Sequence, residues 1–183
     1  MKIRTFLSLE LAQTVKNKLS AHAELISGND KLKHIRWLPK ENYHLTLAFL
    51  GNVEYGLIDS LQRKLIQNLS FIKAVTYRFS EITPFPFSGT SKIAAAMLEN
   101  SNALMQLQHN TAKCVHAFGI SLERRRFTPH VTLGRLKSRS RKSMAFQPQQ
   151  IFLEGVSEKV VIFQSELTPK GSVYTSLGEI SLI

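Results

Sequence analysis

Apolar and polar residues alternate from Ile3 to Leu9, a two-residue period that predicts a strand. From Glu10 to Ile26 the period lengthens. Leu11, Val15, Leu19 and Ile26 fall at helical spacing, and Gly28-Asn29-Asp30 marks the helix end. His34–Leu38 reads as a short strand stopped by Pro39. Tyr43–Gly51 is a second strong strand. Side chains alternate along a strand, so Leu45, Leu47 and Phe49 are expected on one face and His44, Thr46 and Ala48 on the other. Ile58, Leu61, Leu65 and Leu69 mark a second helix. Ala74–Ile82 returns to strand, Pro-Phe-Pro-Phe-Ser-Gly at 84–89 reads as a loop, and Lys92–Leu98 is a strand of small residues. A third helix is predicted over Asn102–Phe118, burying Leu104, Leu107, Cys114 and Phe118, with Gly119 at its C-terminal cap. His130–Gly134 is again a strand, Arg135–Lys142 an exposed basic and serine-rich connection, and Lys159–Leu167 and Val173–Leu182 close the chain as strands.

Three helices and about eight strands, clustered rather than strictly alternating, point to an α+β fold with largely antiparallel sheet. The order strand 3–9, helix 10–26, strand 43–51 resembles the order strand 92–98, helix 102–118, strand 130–134. A duplicated lobe follows, with residues 1–183 forming a single two-lobed unit, since no Gly-, Ser- or Pro-rich linker parts two independent domains.

Composition supports a packed core, with 43% hydrophobic residues over 183 positions. Charge adds more. The net +11 draws anionic partners such as RNA, nucleotides or acidic membrane. Cys114 is the only cysteine, which excludes an internal disulfide and suits a reducing compartment. The opening MKIRTFLSLE carries an apolar stretch too short for a signal peptide, and no run is long enough for a membrane helix. A cytoplasmic protein with no membrane attachment is expected, and a monomer is the default.

The chemistry lies in a repeat. His44-Leu-Thr-Leu and His130-Val-Thr-Leu begin 86 positions apart, close to half the chain, each after a strand–helix unit. Residues i and i+2 of a strand point the same way, about 6.5–7 Å apart. An imidazole and a hydroxyl so spaced can touch one phosphate. The His reaches an oxygen that gains or loses a proton, and the Thr donates to a non-bridging oxygen. Two such strands about a pseudo-twofold axis would surround one phosphorus with His44, Thr46, His130 and Thr132. One imidazole would act as general acid and the other as general base, with no metal or other cofactor required. Arg124, Arg125, Arg126 and Arg135 flank the second motif, and guanidinium forks suit phosphate. Pro129 favours an extended entry to the strand, and Gly134 leaves room beside it for substrate or neighbouring backbone.

Other residues carry less. His109 and His116 share a helix face about 10 Å apart, too far to share a metal easily, and with His22 read as surface residues. His34 is a candidate for the border of the site. Trp37 reads as core, and Cys114 sits in an apolar helix stripe where a nucleophile is not expected. No HExxH, Walker loop or CxxC pair occurs.

The segments Arg36-Trp-Leu-Pro-Lys-Glu-Asn-Tyr-His-Leu-Thr-Leu-Ala-Phe-Leu-Gly51 and Phe127-Thr-Pro-His-Val-Thr-Leu-Gly-Arg135 resemble the two signatures of the two-histidine phosphoesterase superfamily. Within it they are similar to the bacterial RNA 2′,3′-cyclic phosphodiesterases, also called 2′-5′ RNA ligases or LigT-like proteins. Arg4-Thr-Phe-Leu-Ser-Leu resembles that family's first strand, and the tail from Leu167 through Gly171 and Tyr174 to Leu177 its closing strands. The resemblance implies two lobes whose antiparallel sheets line a V-shaped cleft, with helices outside. It implies hydrolysis of a terminal 2′,3′-cyclic phosphate on RNA to a 2′-phosphate, with His44 as proton donor and His130 as proton acceptor. Near symmetry of the lobes leaves open, from sequence, which His does which. Arg126, Arg135 and Phe6 are the expected substrate contacts. The expected partners are RNA ends or small nucleotides bearing a cyclic phosphate. Ligation of a 2′ hydroxyl by the reverse reaction, cleavage of a small cyclic phosphate, and an RNA-binding module without turnover are the competing readings.

Overall fold

Strands β1 (Lys2–Leu9) and β3 (Leu45–Glu54) pair antiparallel, as do β5 (Ile93–Leu98) and β6 (His130–Leu136). These four form the middle of the sheet in a computed structural model that describes residues 1–30, 33–87, 90–122, 126–137, 144–169 and 171–183. Outward from β5 lie β4 (Val75–Phe85) and β7 (Gln149–Ser157); outward from β1 lie β8 (Lys159–Thr168) and β9 (Gly171–Ser181). The full path is β7-β4-β5-β6-β3-β1-β8-β9, with the short β2 (Ile35–Trp37) paired to β6. Every pairing is antiparallel, in keeping with the α+β reading, and the path ends in two open edges.

The path is symmetric about the β3–β6 seam, with four strands on each side. That seam is narrow: a single register pair, Leu45↔Val131, joins the halves. The expected two sheets are therefore one hydrogen-bonded path with a constriction. Helix α1 (Gln13–Asn29) follows β1 yet packs against β2, β6 and β7 of the other half. Helix α3 (Asn102–His116) follows β5 and packs against β3, β4 and helix α2 (Ile58–Leu69). Leu19, Leu61, Leu65, Leu104 and Leu107 are fully buried and join one hydrophobic cluster with strand residues of both halves. Burying each such side chain stabilises the fold by about 1.5–3 kcal/mol.

Several boundaries differ from the sequence expectation, each for a tertiary reason. Strand β4 runs on through Pro84 and Phe85, which were expected in a loop. Its pairing to β7 ends at Ile82, so Pro84 meets only β5 and interrupts no ladder on its other side. Strand β7 was not expected at all. Its apolar residues point both ways: Ile151 is buried while Phe152 and Val156 are exposed. Its inner face also carries Gly155, where an added Cβ would overlap the Tyr77 ring. Tyr77 is itself buried, and its hydroxyl accepts the Ala12 N–H at the start of α1. Gly119 has φ +71°, a conformation glycine adopts without strain, and its N–H donates to the His116 carbonyl at 2.9 Å as expected of a C-terminal cap. Cys114 is buried in the α3 stripe, Phe118 is only half-buried, and His109 and His116 are exposed. Ala94, Ala95 and Ala96 are fully buried between β4 and β6. No helix among the described residues is long and apolar enough to cross a membrane.

Candidate active site

His44 stands one residue before β3 begins and His130 opens β6, on the two strands that meet at the seam. Each is fixed in the same way. The Nδ1–H of His44 donates to the Asn42 carbonyl at 2.7 Å, and that of His130 to the Thr128 carbonyl at 2.8 Å. A carbonyl only accepts, so both rings hold their proton on Nδ1 and keep Nε2 for a ligand. Each ring also rests on a phenylalanine: Phe6 lies 4.7 Å from His44 and Phe85 lies 4.8 Å from His130, centroid to centroid. Tyr174 meets His44 edge-on at 5.1 Å, and Phe163 backs Phe6 at 5.4 Å.

One cavity of about 620 Å³ is lined by His44, Thr46, His130 and Thr132, together with Phe6 and Arg135. Arg4 and Arg36 line it as well, and among the described residues no Asp or Glu does. A second cavity of about 580 Å³ shares Thr46, Phe49, Ile93 and His130 with the first. It holds Arg126, Lys92 and a wall of Phe85, Phe87 and Phe127. Arg126 therefore stands in the adjoining space rather than beside Arg135. Arg124 and Arg125 lie outside the described residues. His34 lines neither cavity. Among the described residues no group of three or more His, Cys, Asp or Glu could hold a metal ion.

Both motif strands break register just after the threonine. Between Leu7↔Ala48 and Ser8↔Thr46, Leu47 has no partner on β1. Between Ala94↔Gly134 and Ala95↔Thr132, Leu133 has none on β5. Each extra leucine is a β-bulge, which resets the alternation. Leu47 and Ala48 are consequently both buried, and Phe49, expected on the core face, is turned into the cleft. Arg135 occupies the matching fifth position after His130 and also faces the cleft. The two lobes thus offer matched His and Thr, then an aromatic residue from one side and a guanidinium from the other.

Sequence reading passed over Arg4, Arg36, Phe49, Phe85 and Tyr174 as individual site residues. Arg4 carried a signal, since it precedes Phe6 by two on the first strand. Arg36 reaches the cleft only because β2 lies on β6. Gly134 makes that approach possible: a Cβ there would stand 2.7 Å from Ile35 Cγ2 and 3.1 Å from Trp37 Cε3. The room at Gly134 serves β2, not a ligand.

Electrostatics follow from burial. Desolvation pushes the His44 pKa down to about 4; the Asn42 carbonyl opposes this in part, and Lys16, Arg135 and His130 add to it. Burial likewise lowers His130, opposed by the Thr128 carbonyl and reinforced by Arg135. The free protein therefore holds two neutral imidazoles at pH 7. An unfolded His titrates near 6.5, so between about pH 4 and 6.5 the unfolded chain binds more protons at His44 than the folded one. Stability should rise with pH through that window, by up to about 3 kcal/mol from His44. Melting temperatures from pH 4.5 to 7 should fall less steeply on acidification in His44→Gln than in the wild type. Equal slopes would contradict the buried neutral imidazole.

Comparison with known proteins places the chain. The sequence model of the 2′-5′ RNA ligase superfamily matches residues 15–152. A Thermotoga maritima protein named RNA 2′,3′-cyclic phosphodiesterase is 27% identical, with 97% of this chain and 94% of that protein aligned. The crystal structure of TT0787 from Thermus thermophilus superposes with a TM-score of 0.83 at 25% identity, covering 98% of this chain and 97% of that one. That of E. coli LigT with 3′-AMP gives a TM-score of 0.81 at 20% identity, covering 100% and 99%, and speaks for the fold alone. By its sequence match over most of its length, the chain belongs to the 2′-5′ RNA ligase superfamily.

Proposed function

We propose that the protein hydrolyses the terminal 2′,3′-cyclic phosphate of RNA to a 2′-phosphate, without a metal ion, by acid–base catalysis at His44 and His130. The observation that carries this reading is the matched pair of imidazoles, each anchored through Nδ1 to the carbonyl two residues upstream and both lining one cleft. The name of the Thermotoga maritima relative supports the same substrate. In the proposed step His130 Nε2 takes a proton from water as the water oxygen bonds to phosphorus. The bond from phosphorus to the 3′ oxygen breaks, and His44 Nε2–H supplies the proton to that leaving oxygen. Thr46 and Thr132 donate to the non-bridging oxygens, while Arg4, Arg36 and Arg135 hold the negative charge that a metal would otherwise neutralise. Both histidines come from one chain, so a monomer suffices.

The bound phosphate must raise the donor's pKa, because an adjacent anion favours the imidazolium. Free protein and complex should differ accordingly. The kcat/KM profile, which reports the free protein, should already be declining below about pH 6.5, because burial holds both imidazoles under their ordinary value, whereas kcat should hold to higher pH. Superimposable profiles would contradict this. The test of function is incubation with a nucleoside 2′,3′-cyclic phosphate in EDTA. A nucleoside 2′-phosphate is the expected product. A 3′-phosphate, or loss of turnover on chelation, would overturn the reading.

A further inference from the structure

The unpaired Leu47 of the β3 bulge raises a question of what holds it. Its counterpart Leu133 is held by backbone: the Leu38 N–H donates to the Leu133 carbonyl at 2.8 Å, just past the end of β2. Beside β3 the donor is a side chain. Gln108 Nε2, on α3, donates to the Leu47 carbonyl at 3.3 Å. Gln108 follows Leu104 by four and precedes Thr111 by three, both fully buried, so it stands on the edge of the packed helix face. Gln108 is half-buried and lines the second cavity, and from there its amide reaches the carbonyl of the bulge. The bond also crosses the seam, from the helix after β5 to the strand bearing His44, where only Leu45↔Val131 otherwise pairs the halves.

We infer that Gln108 is a positioning residue: it holds the β3 bulge and thereby turns Phe49 into the cleft, setting how tightly substrate is held rather than how fast it reacts. This rests on the reading of the cleft as a substrate site. Phe49 follows the bulge by two residues, pairs with Phe6 and precedes a second register break at Leu50; it is 54% exposed and lines both cavities, so the Leu47 bulge sets which face it takes as β3 leaves Thr46. His44 and Thr46 precede the bulge, and His44 has its own anchor at Asn42. Loss of the Gln108 bond should leave them in place.

The test compares Gln108→Glu, which keeps the shape and removes the donor, with Gln108→Met, which removes both polar atoms. With a nucleoside 2′,3′-cyclic phosphate, each should raise KM about five- to twentyfold and change kcat less than about twofold. In a Phe49→Ala background neither should raise KM further. An unchanged KM, a parallel fall in kcat, or full additivity with Phe49→Ala would overturn the inference. A second measurement does not depend on turnover. In protein labelled with 4-fluorophenylalanine, the Phe49 signal, assigned by its loss in Phe49→Leu, should shift or broaden in Gln108→Glu while those of Phe6 and Phe163 stay. A Phe49 signal unmoved by Gln108→Glu would refute the positioning role. Absence of wild-type turnover would instead count against the functional reading alone, and the fluorine signal would still decide the placement of Phe49.

Discussion

Alanine at His44 or at His130 should lower kcat on a nucleoside 2′,3′-cyclic phosphate by about a hundredfold to ten-thousandfold. Either change removes one end of a proton relay: without the acceptor, water is not activated, and without the donor the 3′ oxygen leaves as an alkoxide. Ligand binding should largely survive, because Arg4, Arg36 and Arg135 remain in the cleft. Stability should survive too, since each imidazole is held neutral against its solvation preference rather than contributing an ion pair. Turnover and binding of a nucleoside monophosphate, measured on the same preparations, separate the two effects. Near-full turnover by either variant would refute the acid–base assignment. Equal loss of binding and turnover would make the histidines anion contacts only, as in an RNA-binding module.

Valine at Gly134 should destabilise the fold by about 2–3 kcal/mol, the range for overfilling a packed site. The added carbons would enter space held by Ile35 and Trp37, and Ile35 is buried. Strand β2 would have to lift from β6. With it would move the Leu38 N–H that holds the β6 bulge and the Arg36 guanidinium in the cleft. A fall in melting temperature of about 5–10 °C is expected. A rise in KM should accompany it even at temperatures where the variant is fully folded. A variant as stable as the wild type would mean that β2 does not pack on β6 as described.

The twin His-x-Thr-Leu motifs show how far pattern reaches. Strand alternation correctly set Thr46 on the side of His44, and Thr132 on the side of His130, because two residues of unbroken strand need no outside information. The same rule failed three residues on. Phe49 was expected with Leu45 and Leu47, but a bulge at Leu47 resets the alternation, and nothing local distinguishes Leu47 from a residue in register. The side chain bonded to that bulge is Gln108, sixty-one residues away. Arg36 and Phe85 were missed for a similar reason. One arrives on a strand whose packing depends on Gly134, the other at the end of a strand read as a proline-rich loop.

Sequence periodicity therefore sufficed for the three helices, for eight of the nine described strands, and for the two imidazole–hydroxyl pairs, since each of these is encoded by neighbours within a few positions. The cleft's remaining cations and rings, the bulges in the motif strands, and the single seam joining the lobes were settled only by folding. They depend on which distant strands lie side by side, and a hydrogen bond or a buried contact between remote segments leaves no periodic trace in either one.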